Sequence, residues 1–303
     1  MRGFLGLTKR NLMIYFKDFG AVVFSLLTSI IVFVLYLVFL KGTFVDSIQE
    51  VSVGLESFIT SNDIEMLVSG ILLVGIIGSA LITVSYSCLA TVIKDRENKI
   101  DYDISATPIK RGQIILSYFV AATLSAFIIT SIILTAGLLI IAGMGDMNLS
   151  AVSILKAYGI VFVGSVSATS IFMVLALFFK SSSASSAFFG MLSAASGFVI
   201  GAYIPLSSFS EGIQTVCNLF PATQITVLFR NVLLSGMLEK LNEKIGGVDN
   251  GMFVEGMKEA FNFEASIGGN ALNPSYMLMY VGIILIISTV AMIAMYNKTY
   301  KRK

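Results

Sequence analysis

The stretch MLVSGILLVGIIGSALITVSYSCLATVI, Met66–Ile93, carries no ionisable group other than Tyr86 and Cys88. At 1.5 Å rise per residue, a helix of this length exceeds a hydrocarbon core of about 30 Å. It runs straight into KDRENKIDYDISATPIKRG, Lys94–Gly112, where both charge signs are dense. The junction reads as a membrane span ending at an aqueous surface. Five further segments have the same character: Ala21–Leu40, Ile114–Ala142, Ala157–Phe179, Ala184–Ile204 and Tyr276–Tyr296. None contains Asp, Glu, Lys, Arg or His. The expectation is an all-α membrane protein with six transmembrane helices.

Composition supports this. The 303 residues are 56% hydrophobic and 13% charged, where a soluble domain carries about a quarter charged residues. A cytosolic enzyme and a disordered chain are excluded. A formal net charge of +2 gives no basic field for nucleic acid. There is no His, which removes His general bases, ligands and triads. Cys88 and Cys217 stand far apart and form neither a zinc site nor a disulfide framework. The first span follows twenty residues of basic sequence, and no small-x-small site follows Leu40. It is expected to be retained rather than cleaved as a signal.

Lys and Arg orient the chain. With the N-terminus inside, fourteen of the 20 basic residues fall on the inner side, including Lys94–Arg111 and the tail Lys298–Lys303. Thirteen of the 18 acids fall outside. Both termini are thus expected in the cytoplasm of a multi-pass cell-membrane protein, of bacterial type. At 100° per residue, Arg2, Lys9, Arg10 and Lys17 share an arc of about 100°, with Phe4, Leu12, Tyr15, Phe16 and Phe19 largely elsewhere. Residues 1–20 therefore read as an amphipathic helix on the inner leaflet, or as a plain topogenic segment.

Within Lys94–Gly112, apolar Ile100, Tyr102 and Ile104 interleave with charges, and Pro108 breaks the chain. Composition permits a solvated loop or a short docking helix. Here the sequence resembles a known family. Arg96, Glu97, Ile104, Thr107 and Pro108 are similar to the Arg-Glu-x-Gly-Thr-x-x-x-Leu-x-x-Thr-Pro signature of type-2 ATP-binding-cassette exporter permeases. Lys99 stands at the signature's Gly and Ile100 at its Thr. The run Gly197–Phe209, Asn218–Thr223 and Phe229–Gly236 resembles the family's outer stretch of two re-entrant half-helices. Segments Ser208–Leu219 and Gln224–Leu234 are too short to span and too apolar for a free loop. They suit such half-helices, or surface helices.

The resemblance implies a coupling helix within residues 94–112 that docks on a separate ATPase subunit, with Arg96, Glu97, Asp101, Tyr102, Asp103, Ile104, Thr107 and Pro108 as its residues. Tyr102 and Ile104 would anchor it, and Asp101 and Asp103 would meet basic groups. It implies ATP and Mg on that partner, no cofactor or catalysis in this chain, and a homodimer or a heterodimer with a second permease in membrane lipid. Spans one, two and five would line the substrate path, with Ser25, Thr28, Ser29, Thr83, Tyr86, Ser193 and Gly197 as candidates. Independently, the chain lacks a Gly-x-x-x-x-Gly-Lys-(Ser/Thr) phosphate loop. The apolar wall suits an amphiphile, a drug, lipid-like molecule or peptide moved outward. An ion-coupled carrier, a membrane enzyme and a scaffold or sensor partner remain as alternatives, although no span carries the ionisable group that proton coupling favours.

Four regions are therefore expected: the interfacial helix 1–20, spans one to five with the re-entrant pair over 21–236 (the pair itself at 205–234), an acidic insertion at 237–275, and the last span with its basic tail over 276–303. The insertion should hold two short amphipathic helices, around Leu238–Ile245 and Phe253–Phe261, separated by Gly246-Gly247 and followed by Gly268-Gly269. Small residues on span five (Ser186, Gly190, Ala194) either pack helices within one chain or meet a second copy.

Overall fold

The structure is a computed structural model that describes residues 2–35, 38–39, 41–52, 54–55, 57–145 and 148–299. The end of the expected first span (Tyr36, Leu37, Leu40) and the tail beyond Thr299 lie outside the described residues. The chain is 81% helical. In order, the helices are α1 (Arg2–Lys17), α2 (Phe19–Leu35), α3 (Lys41–Val51), α4 (Ser61–Ser87), α5 (Ala90–Glu97), α6 (Ile100–Ala106), α7 (Arg111–Met144), α8 (Ala151–Ala176), α9 (Ser182–Val199), α10 (Glu211–Asn218), α11 (Pro221–Ile245), α12 (Met252–Ala260) and α13 (Pro274–Thr299). A hairpin of β1 (Ala265–Ile267) and β2 (Asn270–Leu272) precedes α13, pairing Ser266 with Ala271.

Among the described residues, four helices are long and apolar enough to cross a membrane: Ser61–Glu97, Arg111–Met144, Ala151–Ala176 and Pro274–Lys298. The pair α1 and α2, bent by 68°, raises this to five. Of the six spans expected, the fifth is the one not in that count. Its helix α9 is 18 residues long and rich in Ser, Ala and Gly, which lowers its hydropathy below that of the other four, and left-handed Gly201 at φ +68° follows its end.

The central helix is α4. Of its most apolar window 94% is buried, against α2, α3, α7, α8, α9 and α11. Glycines make this enclosure possible. A Cβ on Gly70 would lie 2.6 Å from Leu234, and one on Gly78 would lie 2.5 Å from Thr226. On α7, a Cβ at Gly137 would sit 2.2 Å from Leu73. Peripheral α13 is the opposite case, with 22% of its window buried and Ile283, Ile286, Ile287 and Val290 facing outward.

The insertion differs from expectation. Its first helix is not separate: α11 runs unbroken for 25 residues from Pro221 at its first turn to Ile245, where left-handed Gly246 caps it. The second half-helix expected at Gln224–Leu234 is therefore part of a longer rod. The second expected helix is α12, and the Gly268-Gly269 break is the turn of a hairpin that was not expected. Side chains of α11 tie the insertion down. Arg230 donates to the Asn262 carbonyl at 2.5 Å and Asn231 to Phe263 at 2.6 Å. Asn218 of α10 donates to Ser266 at 2.8 Å. At the same end, Lys244 meets buried Asp63 at 2.5 Å, and Asp63 completes a capping box with Thr60 on α4. Phe44 of α3 packs edge-on against Phe261. These pieces form a cap over the end of α4 farthest from α6.

Candidate coupling site

The charged loop folds into a helical elbow. After α4, Cys88–Leu89 is a short turn, α5 continues to Glu97, and Asn98-Lys99 leads into α6. Lys99, at the signature's Gly, adopts φ +61°, ψ 13°. The left-handed bend is thus kept without glycine, at a strain of about 1 kcal/mol. Lys99→Gly should stabilise the chain by about 0.5–1 kcal/mol, and Lys99→Val should destabilise it, since β-branching opposes positive φ. Detergent melting curves in the order Gly, Lys, Val, highest first, check this. Thr107 ends α6 in an extended conformation, ψ 160°, as the residue before Pro108 must, and its hydroxyl donates to Ile104 at 2.6 Å.

Arg96 and Glu97 are adjacent but do different work. The Arg96 guanidinium donates to the carbonyls of Leu177 at 2.5 Å and Phe179 at 3.3 Å, beyond the last turn of α8, whose cap is Leu177. Glu97 Oε2 accepts from the Ser182 N–H at 3.2 Å and from the Ser182 hydroxyl, at the first turn of α9. A cation thus meets the negative end of one helix dipole and an anion the positive end of the next. The two side chains staple both sides of the α8–α9 turn to α5. Behind that turn, the Tyr86 ring touches Phe172, Phe179, Phe188 and Phe189, and its hydroxyl pairs with Ser185 at 2.8 Å.

On the other flank α5 is held by α1. Buried Asp95 takes two hydrogen bonds from Arg10, at 2.6 and 3.1 Å, and one from Tyr118 at 2.5 Å. These contacts to Asp95 hold the Arg10 guanidinium above its ordinary value. A surface pair, Lys94 with Asp18 at 3.0 Å, repeats the link at the α1–α2 bend. The Ala21 N–H and Lys94 together hold the Asp18 carboxyl below the usual range.

Of the residues expected to meet a partner, Tyr102 (62% exposed), Asp103, Thr107 and Pro108 are on the surface. Ile104 and Asp101 are buried. Expectation placed Ile104 as an anchor and Asp101 against a partner's base; both instead face α5 and the bundle, and Ile100 is the second exposed apolar side chain. Asp101 Oδ1 accepts no hydrogen bond among the described residues. Burial pushes its carboxyl above 3.8, while the Tyr102 N–H and Arg96 pull it partly back and Asp95 adds to the rise. The fold therefore disfavours the charged form more than water does, so protonation of Asp101 stabilises it. That stability is fully present below pH 3.8 and lost as pH rises through the folded value. Asp101→Asn should raise the melting temperature at neutral pH and flatten its pH dependence, since it removes the charged form that burial disfavours. A lower melting temperature at pH 7 would contradict it.

The residues expected along a substrate path are not gathered into an opening. Ser25 is buried and bonded to Tyr15 and Ser87, each at 2.9 Å. Ser29, Thr83 and Tyr86 are buried, and Thr83 donates to the Ser79 carbonyl. The side chain of Thr28 lies outside the described residues. Ser193 is half-buried, and a Cβ on Gly197 would strike the Tyr203 ring at 2.3 Å. Span two is enclosed by its own chain. None of these residues lines the water-sized pocket of about 10 Å³ beside Tyr15 and Cys88, nor the groove of about 570 Å³ between the far ends of α7 and α8. Cys88 and Cys217 are both free thiols.

A comparison with family profiles places this arrangement. A profile described as ABC-2 family transporter protein matches residues 43–296. The chain belongs to that family. Searches of curated proteins and of solved structures found no match. The ABC-2 assignment makes the chain a multi-pass membrane subunit of a transporter. The features sequence reasoning missed in this ABC-2 permease are Asp95, Arg10, Tyr118 and the α8–α9 turn. In one sequence Asp95 is one charge in a charged run, and nothing marks it as the one turned inward to α1.

Proposed function

We propose that this chain is the permease subunit of an exporter powered by ATP hydrolysis on a separate chain, which docks on α6. The observation that carries this reading is the double staple of Arg96 and Glu97, which ties α5, the helix leading into exposed α6, to the α8–α9 turn. Members of this family normally work with an ATP-binding subunit, and ATP and Mg would be held there. In this reading the membrane is crossed six times, by α2, α4–α5, α7, α8, α9 and α13, with both termini and α6 in the cytoplasm. The short α10 and the first half of α11 dip into the outer leaflet, and the acidic cap faces out. The outward faces of α2 (Phe24, Ile30, Ile31) and α9 (Ser186, Gly190, Met191, Ala194) would meet a second permease, identical or not, with an amphiphilic cargo between them.

Docking energy should come from apolar side chains and register from charges. The exposed anchors are Ile100 and Tyr102, with Asp103 beside them. The variant Ile100→Ala/Tyr102→Ala should weaken ATPase association by about 1–3 kcal/mol per hot-spot side chain, leaving the melting temperature in place because no span is touched. Co-purification of the ATPase and transport are measured on the same membranes. Wild-type values for both would remove α6 as the docking element.

A further inference from the structure

The sides of α1 are sorted by neighbour. Towards the bundle it buries Thr8, Asn11 and Tyr15, and Asn11 reaches Ser117 of α7. About a third of a turn away, Gly3 lies against Ile109 and Arg10 reaches Asp95, so that side meets the coupling elbow. The side opposite the elbow carries Leu5 (63% exposed), half-buried Leu12 and Phe16 (39%). The side opposite the bundle carries Arg2, Lys9 and Lys17, all exposed, within about 80° on the helical wheel. Uncharged polar groups therefore face protein, while the exposed sides carry apolar side chains on one flank and cations on the next, unlike a helix in water whose apolar face is the buried one. Apolar side chains on one flank and cations on the next fit a helix lying at the headgroup level.

We propose that α1 is a binding surface for anionic phospholipid headgroups, with Leu5 and Phe16 in the acyl region and Arg2, Lys9 and Lys17 gathering the phosphates. Charge complementarity selects the occupant, since three cations lie along the outward face while its one nearby acid, Asp18, is engaged by Lys94. Each basic residue near an anionic surface favours it about fivefold. The Arg10–Asp95 contact places this lipid-facing helix directly against the segment leading into α6. The inference rests on the cytoplasmic placement of the N-terminus proposed above, not on ATP coupling.

The chain contains no Trp, so a single Trp reports its own surroundings. The probe is Phe16→Trp in the full chain, reconstituted in phosphatidylcholine vesicles with a minor fraction of brominated phosphatidylglycerol or brominated phosphatidylcholine. The expected result is severalfold stronger quenching by the anionic lipid. Arg2→Gln/Lys9→Gln/Lys17→Gln should erase the difference without abolishing quenching. A Val290→Trp reporter on lipid-facing α13 should be quenched equally by both. Equal quenching at Phe16→Trp overturns headgroup selection. No quenching by either lipid overturns the membrane placement as well. A preference unchanged in the triple variant removes these three residues as its source. Each result is independent of whether an ATPase binds.

Discussion

Asp95→Ala should be the most destabilising single substitution in the elbow, costing about 2–3 kcal/mol. The carboxylate is buried and accepts from Arg10 and Tyr118, and removing one partner of a buried ion pair costs about 3–5 kcal/mol. Arg10 retains 31% side-chain exposure, so water recovers part of that loss. Tyr118 has no such recourse, because its hydroxyl sits in the same dry contact. Asp95→Asn, which keeps an acceptor, should cost about half as much, and Tyr118→Phe about 1 kcal/mol. Detergent melting curves on the full chain give the ranking. If Asp95→Ala melts with wild type, α1 is not held by this contact.

Arg96→Ala/Glu97→Ala should separate docking from transmission. Both side chains point to the α8–α9 turn, so Ile100 and Tyr102 remain available and the ATPase should still co-purify. The α8–α9 turn would then be unstapled from α5. Hydrogen bonds to charged groups contribute about 1.5–3 kcal/mol each, so displacement of the elbow would no longer carry α9 with it. Transport should fall by at least about tenfold, the change that 1.4 kcal/mol produces, while ATP hydrolysis continues. Loss of ATPase binding in this variant would show that the pair belongs to the docking surface instead. Wild-type transport would show that the staple is structural ornament to the turn.

The helical nature of the chain and its four longest helices were legible because a run such as Met66–Ile93 has one physical interpretation at its length. The signature pair Arg96 and Glu97 was legible as a resemblance, but its geometry was not. Their partners are backbone groups of Leu177, Phe179 and Ser182, and backbone acceptors leave no trace in side-chain identity. Asp101 and Ile104 were misplaced for a related reason. A seven-residue helix is too short for its pattern to say which face turns inward, and Lys99 sets that rotation through a backbone angle. The end of α11 was misread because Leu238, Leu241 and Ile245 show helical spacing but not continuity with Pro221–Gly236. The hairpin strands are three residues each, below the length at which alternation can be counted.

The enclosure of α4 has a consequence for how the chain is made. This helix leaves the ribosome early, yet its notches at Gly70 and Gly78 are filled by Leu234 and Thr226, which are translated much later. During synthesis α4 must wait in lipid with its glycine faces open, because distant contacts form only after the intervening chain exists. A chain stopped before α11 would display those faces to membrane proteases and insertion chaperones, while a finished one would hide them. Completion of α11 is therefore the step at which the glycine faces of α4 can be covered by the chain itself.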